Sequence, residues 1–191
     1  YPFAQITPDK TPELANAAKR SIALKLTPKE TWEDTGWARS MLMLYSARLR
    51  EPEGCLNHIE EMQRQLTHSN LLVKHPPTRG AASFGDVYEL DGNTGLTACI
   101  AEMLLQSHQE EIHLLPTLPI EWQNGSVKGL CARGGFEVDI TWGQGRLQST
   151  TIRASKDGVC TLRYKENSYQ LEMEAGCEYT IDSQLEKHKK L

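Results

Sequence analysis

The hydrophobic pattern of this chain changes its period once, close to Ile112. Before that residue, apolar side chains recur about every 3.6 positions, which is typical of helices packed on one face. After it they alternate with polar side chains, most clearly from Phe136 to Trp142, where a strand is predicted. The sequence therefore predicts an α+β fold in two consecutive parts, helices first and strands second.

Four helices are predicted in the first part, and they alternate in character. The first begins at Thr11-Pro12 and the third runs from about Cys55 to Leu66, each with one apolar stripe. The second, around Trp37–Tyr45, and the fourth, from about Asn93 to Ser107, are apolar nearly all round. Concentric rings of helices produce this alternation because inner helices do not meet water; a short antiparallel bundle is the alternative. Since four helices cannot close a double ring and the chain starts with Tyr rather than Met, we expect a piece of a longer protein.

Short strands separated by Gly or Asn turns fill the second part. They are predicted at 136–142, 147–152, 159–164, 169–173 and 177–181. This regular spacing is typical of an antiparallel β-sandwich. The predicted organisation is a helical unit at 1–110, a sandwich at 111–183 and a charged, frayed tail at 184–191.

Composition excludes several classes of protein. The net charge of −4 argues against a nucleic-acid binder that depends on overall basicity. No apolar run reaches the roughly 20 residues that span a bilayer, so no membrane insertion is predicted. The five cysteines form no C-x-x-C pair, so no zinc site is predicted. The chain has no P-loop, dinucleotide fingerprint or nucleophile elbow, and no metal or cofactor is predicted.

Asp91 is the carboxylate whose position is most informative. It stands where a long loop, Thr67 to Asp91, meets the start of the fourth helix. One interpretation is that Asp91 or Asn93 caps that helix. The other is that Asp91 is a catalytic carboxylate at the mouth of a helical ring, placed to orient a water or a partner amide for hydrolysis.

Three further residues are candidates for binding a sugar. His75, in the long loop, can contact a ligand hydroxyl or be a plain loop histidine. Asn93 offers an amide two residues after Asp91. Trp37 can stack on a sugar ring or belong to the core.

Several stretches resemble the C-terminal portion of glycoside hydrolase family 95, the 1,2-α-L-fucosidase family. The resemblance covers most of the chain through about residue 150 and is most specific from Leu90 to Trp142. It rests on these segments: QITPDKTPELANAAKRS (Gln5–Ser21), TGWARS (Thr35–Ser40), LDGNTGLTACIAEMLLQSH (Leu90–His108), IHLLPTLPIEW (Ile112–Trp122) and GSVKGLCARGGFEVDITW (Gly125–Trp142).

The resemblance implies a partial (α/α)6 barrel followed by the sandwich, and an inverting exo-glycosidase acting on terminal 1,2-linked α-L-fucose of oligosaccharides or glycans. In that family a Glu is the general acid, two Asn side chains hold the attacking water, and an Asp polarises their amides. Asp91, in the L-D-G-N segment, matches that Asp. The Glu and the Asn pair lie well upstream in the family, so the isolated chain is expected to be inactive. The resemblance also suggests a secreted or periplasmic protein.

Two departures from the family put the substrate in question. The loop from Thr78 to Val87 looks like an insertion, and Thr94 stands where an aromatic residue is common. An α-L-galactosidase of the same family is therefore an alternative. Independently of these departures, a phosphorylase or related toroid enzyme and a non-catalytic carbohydrate-binding or interaction module formed by the strands are further alternatives. Self-association is expected too, because an incomplete ring would expose the apolar surface of its inner helices.

Overall fold

The computed structural model describes residues 1–26, 34–75, 87–183 and 187–189. The chain divides into two compact units, Tyr1–Ile100 and Ala101–Leu191. Its four helices are α1 (Pro12–Leu26), α2 (Gly36–Arg48), α3 (Pro52–Gln65) and α4 (Leu90–Leu104). In the described ranges, every helix is too short or too polar to cross a bilayer. The prediction of helices followed by strands is confirmed, whereas four helices do not by themselves establish an (α/α)6 barrel.

The helix α1 begins as the sequence predicts but is less buried than its pattern suggests. The Oγ1 atom of Thr11 accepts a hydrogen bond from the backbone N–H of Thr7 at 2.8 Å, and Pro12 is the first helical residue. Only Ala15 of this helix is buried, and Leu14 keeps 52% of its surface exposed. Leu14 is therefore not buried as the apolar stripe predicts, whereas Ala18, Ile22 and Leu26 of the same stripe are half-buried.

The helices α2 and α3 pack against each other in the first unit. The Oγ1 atom of Thr35 accepts the backbone N–H of Ala38 at 3.1 Å and caps α2, whose residues are mostly buried. Pro52 starts α3, where a missing N–H costs nothing. Ile59 and Met62 of α3 are buried as predicted, and Trp37 of α2 is not.

The helix α4 starts three residues earlier than predicted. It begins at Leu90, so Asp91 belongs to its first turn and does not stand before the helix. The segment that precedes α4 is not a structureless loop either, because Thr67 pairs with Val73 and Lys74 with Tyr88 in isolated antiparallel bridges. Residues 78–86 of the predicted insertion lie outside the described residues.

Nine strands in two sheets make up the second unit in the described ranges. One sheet has the order β1-β2-β6-β7 and the other β3-β4-β5-β8-β9. Their bounds are β1 (Leu105–Gln106), β2 (Ile112–Leu114), β3 (Gly125–Ala132), β4 (Phe136–Gly143), β5 (Arg146–Ala154), β6 (Gly158–Tyr164), β7 (Asn167–Met173), β8 (Glu178–Asp182) and β9 (Lys187–Lys189).

Both sheets contribute to one core, consistent with the predicted sandwich. Val138 and Ile140 on one sheet and Leu162 on the other are fully buried. The backbone N–H of Leu147, in β5, donates to the hydroxyl oxygen of Tyr164, in β6, at 3.0 Å and so links the two sheets. Alternating burial along β4 follows the alternation in the sequence.

Two details of the strand half differ from the prediction. The pair β2·β6 is parallel, with Ile112 opposite Leu162, whereas an antiparallel sandwich was expected throughout. A parallel pair needs a long crossover, and the chain from β3 to β5 supplies it. The expected frayed tail is also wrong in its described part, because Lys187–Lys189 pairs antiparallel with β8.

Candidate active site

The helices α2 and α4 approach each other closely beside Asp91. A Cβ atom added at Gly95 would overlap the side chain of Ser40, so this approach requires glycine. The Ser40 hydroxyl donates to the backbone oxygen of Gly36 at 2.6 Å, within its own helix. This packing gives α2 and α4 a fixed separation at one point.

A second connection holds the starts of the two helices together. The Oε2 atom of Glu89 accepts the backbone N–H of Gly36 at 2.7 Å. The backbone N–H of Glu89 donates to the oxygen of Val73 at 2.9 Å. A carboxylate at a helix N-terminus satisfies a free donor and interacts favourably with the helix dipole.

Asp91 faces an open concavity between α2 and α4. Its side chain is exposed, and its Oδ1 atom accepts the backbone N–H of Gly92 at 2.9 Å. Among the described residues, no hydrogen-bond donor contacts its Oδ2 atom. The concavity has a volume of about 500 Å³ and is lined by Tyr1, Pro2, Trp37, Ser40, Met41, Leu44, Asp91, Thr94, Gly95 and Ala98. A carboxylate oxygen is therefore available to a group that enters this space.

Trp37 lies on the wall of the same concavity. Although Trp37 is in α2, most of whose residues are buried, 57% of its surface is exposed. It also borders a neighbouring concavity of about 440 Å³ between α1 and α2. An exposed indole on a concave wall offers a flat apolar face with one polar edge, which suits stacking against a sugar ring.

Thr94 joins Asp91 and Trp37 on this wall. Its hydroxyl donates to the backbone oxygen of Leu90 at 3.0 Å, which turns the polar group towards its own helix. Because Thr94 and the neighbouring Gly95 have small side chains, they occupy little of the concavity. A bulky aromatic residue at position 94 would fill space that this chain leaves open.

Asn93 and His75 occupy other places. The Asn93 amide donates to the backbone oxygen of Leu71 at 2.9 Å and accepts the backbone N–H of Val73 at 2.8 Å. His75 is half-buried, and its backbone N–H donates to the oxygen of Val87 at 2.8 Å. Neither residue lines the concavity of Asp91. The structure thus brings together Asp91 and Trp37, but not Asn93 or His75, and direct sugar binding by the latter two stays a prediction.

A buried polar group supports α2 next to this site. The Nη1 atom of Arg39 lies 2.9 Å from Nδ1 of His58, in α3, and the Arg39 guanidinium is also paired with Asp34. Burial, and then the charge of Arg39, lower the pKa of His58 to about 4. His58 is therefore neutral at pH 7, which leaves its ring nitrogen available to accept from Arg39.

Ser40 and Glu89 were missed at the level of sequence. Small residues at positions 36, 40, 92 and 95 were the available signal, since small residues spaced three or four apart leave a groove for another helix. The described ranges contain no group of three or more His, Cys, Asp or Glu side chains able to hold a metal ion.

Comparison with protein-family models matches nearly the whole chain. A model described as the glycosyl hydrolase family 95 catalytic domain matches residues 1–104. A model described as the glycoside hydrolase family 95, C-terminal domain, matches residues 106–190.

Two curated proteins are similar to this chain. One is alpha-L-fucosidase 2 of Arabidopsis thaliana, 32% identical over 197 residues that cover 97% of this chain and 22% of that protein. The other is the probable alpha-fucosidase A of Aspergillus oryzae, 34% identical over 82 residues that cover 38% of this chain and 11% of that protein. The chain spans about a fifth of the length of the first relative and a smaller share of the second.

Proposed function

This chain belongs to glycoside hydrolase family 95, and from that premise we propose that it is the C-terminal part of a hydrolase acting on terminal α-L-fucosyl residues of glycans. The resemblance found in the sequence is confirmed by the family models. The fucosyl specificity is proposed because both curated relatives carry fucosidase names.

One observation carries the proposal for the site: the carboxylate of Asp91 and the indole of Trp37 border a single open concavity. Glycosidases need carboxylates to move protons and activate water around the sugar ring. An aromatic face beside such a carboxylate holds the apolar side of the ring. In this proposal Asp91 is the catalytic carboxylate and Trp37 the sugar-stacking residue.

The proposed reaction is an inverting hydrolysis of a 1,2-linked fucoside. Inversion places a water between a base and the anomeric carbon, while an acid protonates the leaving oxygen from the other side of the ring. Asp91 would act through amide groups that hold this water: by accepting their N–H, it raises the electron density on their oxygens. The acid and the water-holding amides are proposed to lie in a part of the protein outside these 191 residues.

The proposal also assigns the two parts of the chain. Residues 1–110 would contribute helices to an (α/α)6 catalytic barrel, and residues 111–183 would form an accessory sandwich. The family models support this assignment, since the one for the catalytic domain matches 1–104 and the one for the C-terminal domain matches 106–190.

The test uses the full-length enzyme with Asp91→Asn and a matched control, Asp157→Asn. Both carboxylates are exposed and accept one backbone N–H, that of Gly92 at 2.9 Å and that of Ala175 at 2.7 Å. We expect Asp91→Asn to lower kcat by about 100-fold or more on lactose that carries an α-1,2-linked L-fucose. This is the scale of general acid–base contributions. The control should keep kcat and both variants should keep the melting temperature. Near-normal turnover by Asp91→Asn would contradict a catalytic role and leave Asp91 only a structural role in the first turn of α4.

Two further measurements address the finer claims. NMR of the newly released sugar should show the anomer opposite to that of the substrate, and retention of the anomer would contradict an inverting reaction. The 191-residue chain alone should release no fucose, because it would lack the acid and the amides; turnover by this chain would place those groups within it.

An α-L-galactosidase remains a second candidate, and Thr94 is the observation that favours it. L-Galactose differs from L-fucose by one additional hydroxyl, and the wall at Thr94 leaves room for a larger substituent than an aromatic residue would. The ratio of kcat/KM for matched aryl α-L-fucoside and α-L-galactoside decides between the two sugars.

A further inference from the structure

The second unit contains a cavity of its own, which is lined by none of the residues proposed as catalytic. It has a volume of about 280 Å³. Three segments form it: residues 107–112 between β1 and β2, residues 133–136 at the turn into β4, and residues 159–161 of β6. This volume lies just below the roughly 300–1,000 Å³ of typical small-molecule sites, which suits a ligand as small as one sugar ring and excludes an extended chain.

One wall of this cavity is polar and held in place. The carboxylate of Glu111 is paired with Arg163 at 3.1 Å, and both side chains are largely buried. Glu110 stands next to it with a φ of 65°, a left-handed conformation that non-glycine residues seldom adopt. The backbone N–H of Arg133 donates to Oγ of Ser107 at 3.0 Å, which ties the backbone of the second segment to the side chain of the first.

The other wall is apolar. Val159 keeps 59% of its surface exposed although it lies in a strand, and the ring of Phe136 forms the inner side. The turn at Gly134, with a φ of 99°, rests directly on that ring, since a Cβ atom there would be 2.7 Å from its Cε2. The ring is therefore fixed between the turn and the core.

The charges on the lining favour a neutral ligand. The charge of Glu111 is balanced by Arg163, so an anion would face the carboxylate of Glu110 and a cation the guanidinium of Arg133. A hydroxyl group can donate to a carboxylate and accept from a guanidinium, so a polyol satisfies both. Burial raises the pKa of Cys160, also in the lining, to about 12, so that its thiol adds no charge at pH 7.

We propose that this cavity is a second carbohydrate-binding site, which holds one neutral pyranose ring of a glycan with its hydroxyls towards Glu110, Glu111 and Arg133 and its C–H face towards Val159. The site lies in the second unit and uses no residue of the Asp91 concavity. It would let the sandwich retain a glycan while the catalytic site acts on one of its ends.

The experiment is a titration of the 191-residue chain with L-fucose, D-galactose and inorganic phosphate, followed by NMR of isotope-labelled protein. We expect saturable shifts of residues 107–112, 133–136 and 159–161 with at least one of the sugars and none with phosphate. Arg133→Ala should weaken sugar binding by about tenfold, as removal of a hydrogen bond to a charged group does. Val159→Ser, at an exposed position, should weaken it as well.

Arg146→Ala is the control, because Arg146 is also an exposed arginine of this unit and, unlike Arg133, lies outside the cavity. It should bind sugar like the unmodified chain. Absence of saturable sugar shifts in these segments, saturation by phosphate in place of sugar, or equal weakening by Arg146→Ala would each overturn the proposal. Asp91→Asn should leave this binding unchanged, so failure of this site and failure of the proposed hydrolysis are separately visible.

Discussion

The Oε2 atom of Glu89 accepts the backbone N–H of Gly36 at 2.7 Å, and so joins the residue two places before Asp91 to the residue next to Trp37. Two side chains from distant parts of the sequence are thereby kept on one concavity. The positions of Asp91 and Trp37 thus depend on a carboxylate that itself lines no part of that space.

Replacing Glu89 by Ala should destabilise the first unit and disturb the site. Loss of an N-terminal helix acceptor costs about 0.5–2 kcal/mol, and urea denaturation of the 191-residue chain measures it. In the full-length enzyme KM should rise even under conditions in which the variant is fully folded, because Asp91 and Trp37 are held in place less firmly. Glu89→Gln should restore most of the stability because an amide oxygen still accepts the Gly36 N–H. The control is Glu53→Ala, an exposed Glu in the first turn of α3; equal effects at both positions would refute a specific role for Glu89.

Gly95→Ala should destabilise the chain by about 1–3 kcal/mol, the usual cost of overpacking. The added methyl group would overlap Ser40 and push α2 away from α4. Gly158→Ala is the control, since nothing lies within 4 Å of a Cβ atom there. Thermal denaturation of both variants should separate them clearly, and similar melting temperatures would mean that the helices do not pack as closely as described.

Acidification should weaken the first unit through His58. Its folded pKa of about 4 is below the ordinary 6.5, so the unfolded chain binds the proton first and stability falls as the pH drops below 6.5 towards 4. Between pH 7 and pH 5 the loss from this group is up to about 2 kcal/mol. Urea midpoints at the two pH values measure it, and His58→Gln should lose less on acidification. If the urea midpoint of His58→Gln fell between pH 7 and pH 5 as much as that of the unmodified chain, His58 would not be the group responsible.

The exposed apolar side chains of α1 predict that the 191-residue chain self-associates through this helix. Leu14 and Leu24 keep 52% and 69% of their surfaces exposed, and exposed apolar surface favours association with another molecule. Sedimentation should show concentration-dependent association that Leu24→Lys reduces. Ile120→Lys, at a comparably exposed position in the second unit, should not reduce it. A monomer at all concentrations would contradict this prediction.

The strand half was largely predictable because its signal is local. The alternation from Phe136 to Trp142 predicts β4 to within one residue of its end at Gly143. The strand β3 was missed, since Gly129 and a shift of register between Val127 and Leu130 interrupt its alternation. The parallel pairing of β2 with β6 is a long-range choice for which a period of two carries no signal.

The helical half was predictable in its elements and less so in its burial. An apolar stripe such as that containing Leu14 shows which helix face can pack against another element, but not whether these 191 residues contain that element. At the site, the chemical type of Asp91 and Trp37 was visible in the sequence. Their position on the same concavity was not visible, because it depends on contacts of Glu89 and Ser40 with residues more than fifty positions away.

The amide of Asn93 is tied on both sides to the backbone of the segment before α4, while Asp91, two residues earlier, faces open space. Two residues of one four-residue motif therefore differ in role: Asn93 stabilises the local backbone, and Asp91 is accessible to a ligand in the concavity. We expect alanine at either position to lower turnover of the full-length enzyme, at Asp91 through the proposed chemistry and at Asn93 through the local scaffold. Protection of the Val73 amide from deuterium exchange should drop for Asn93→Ala alone, which separates the scaffold residue from the proposed catalytic one.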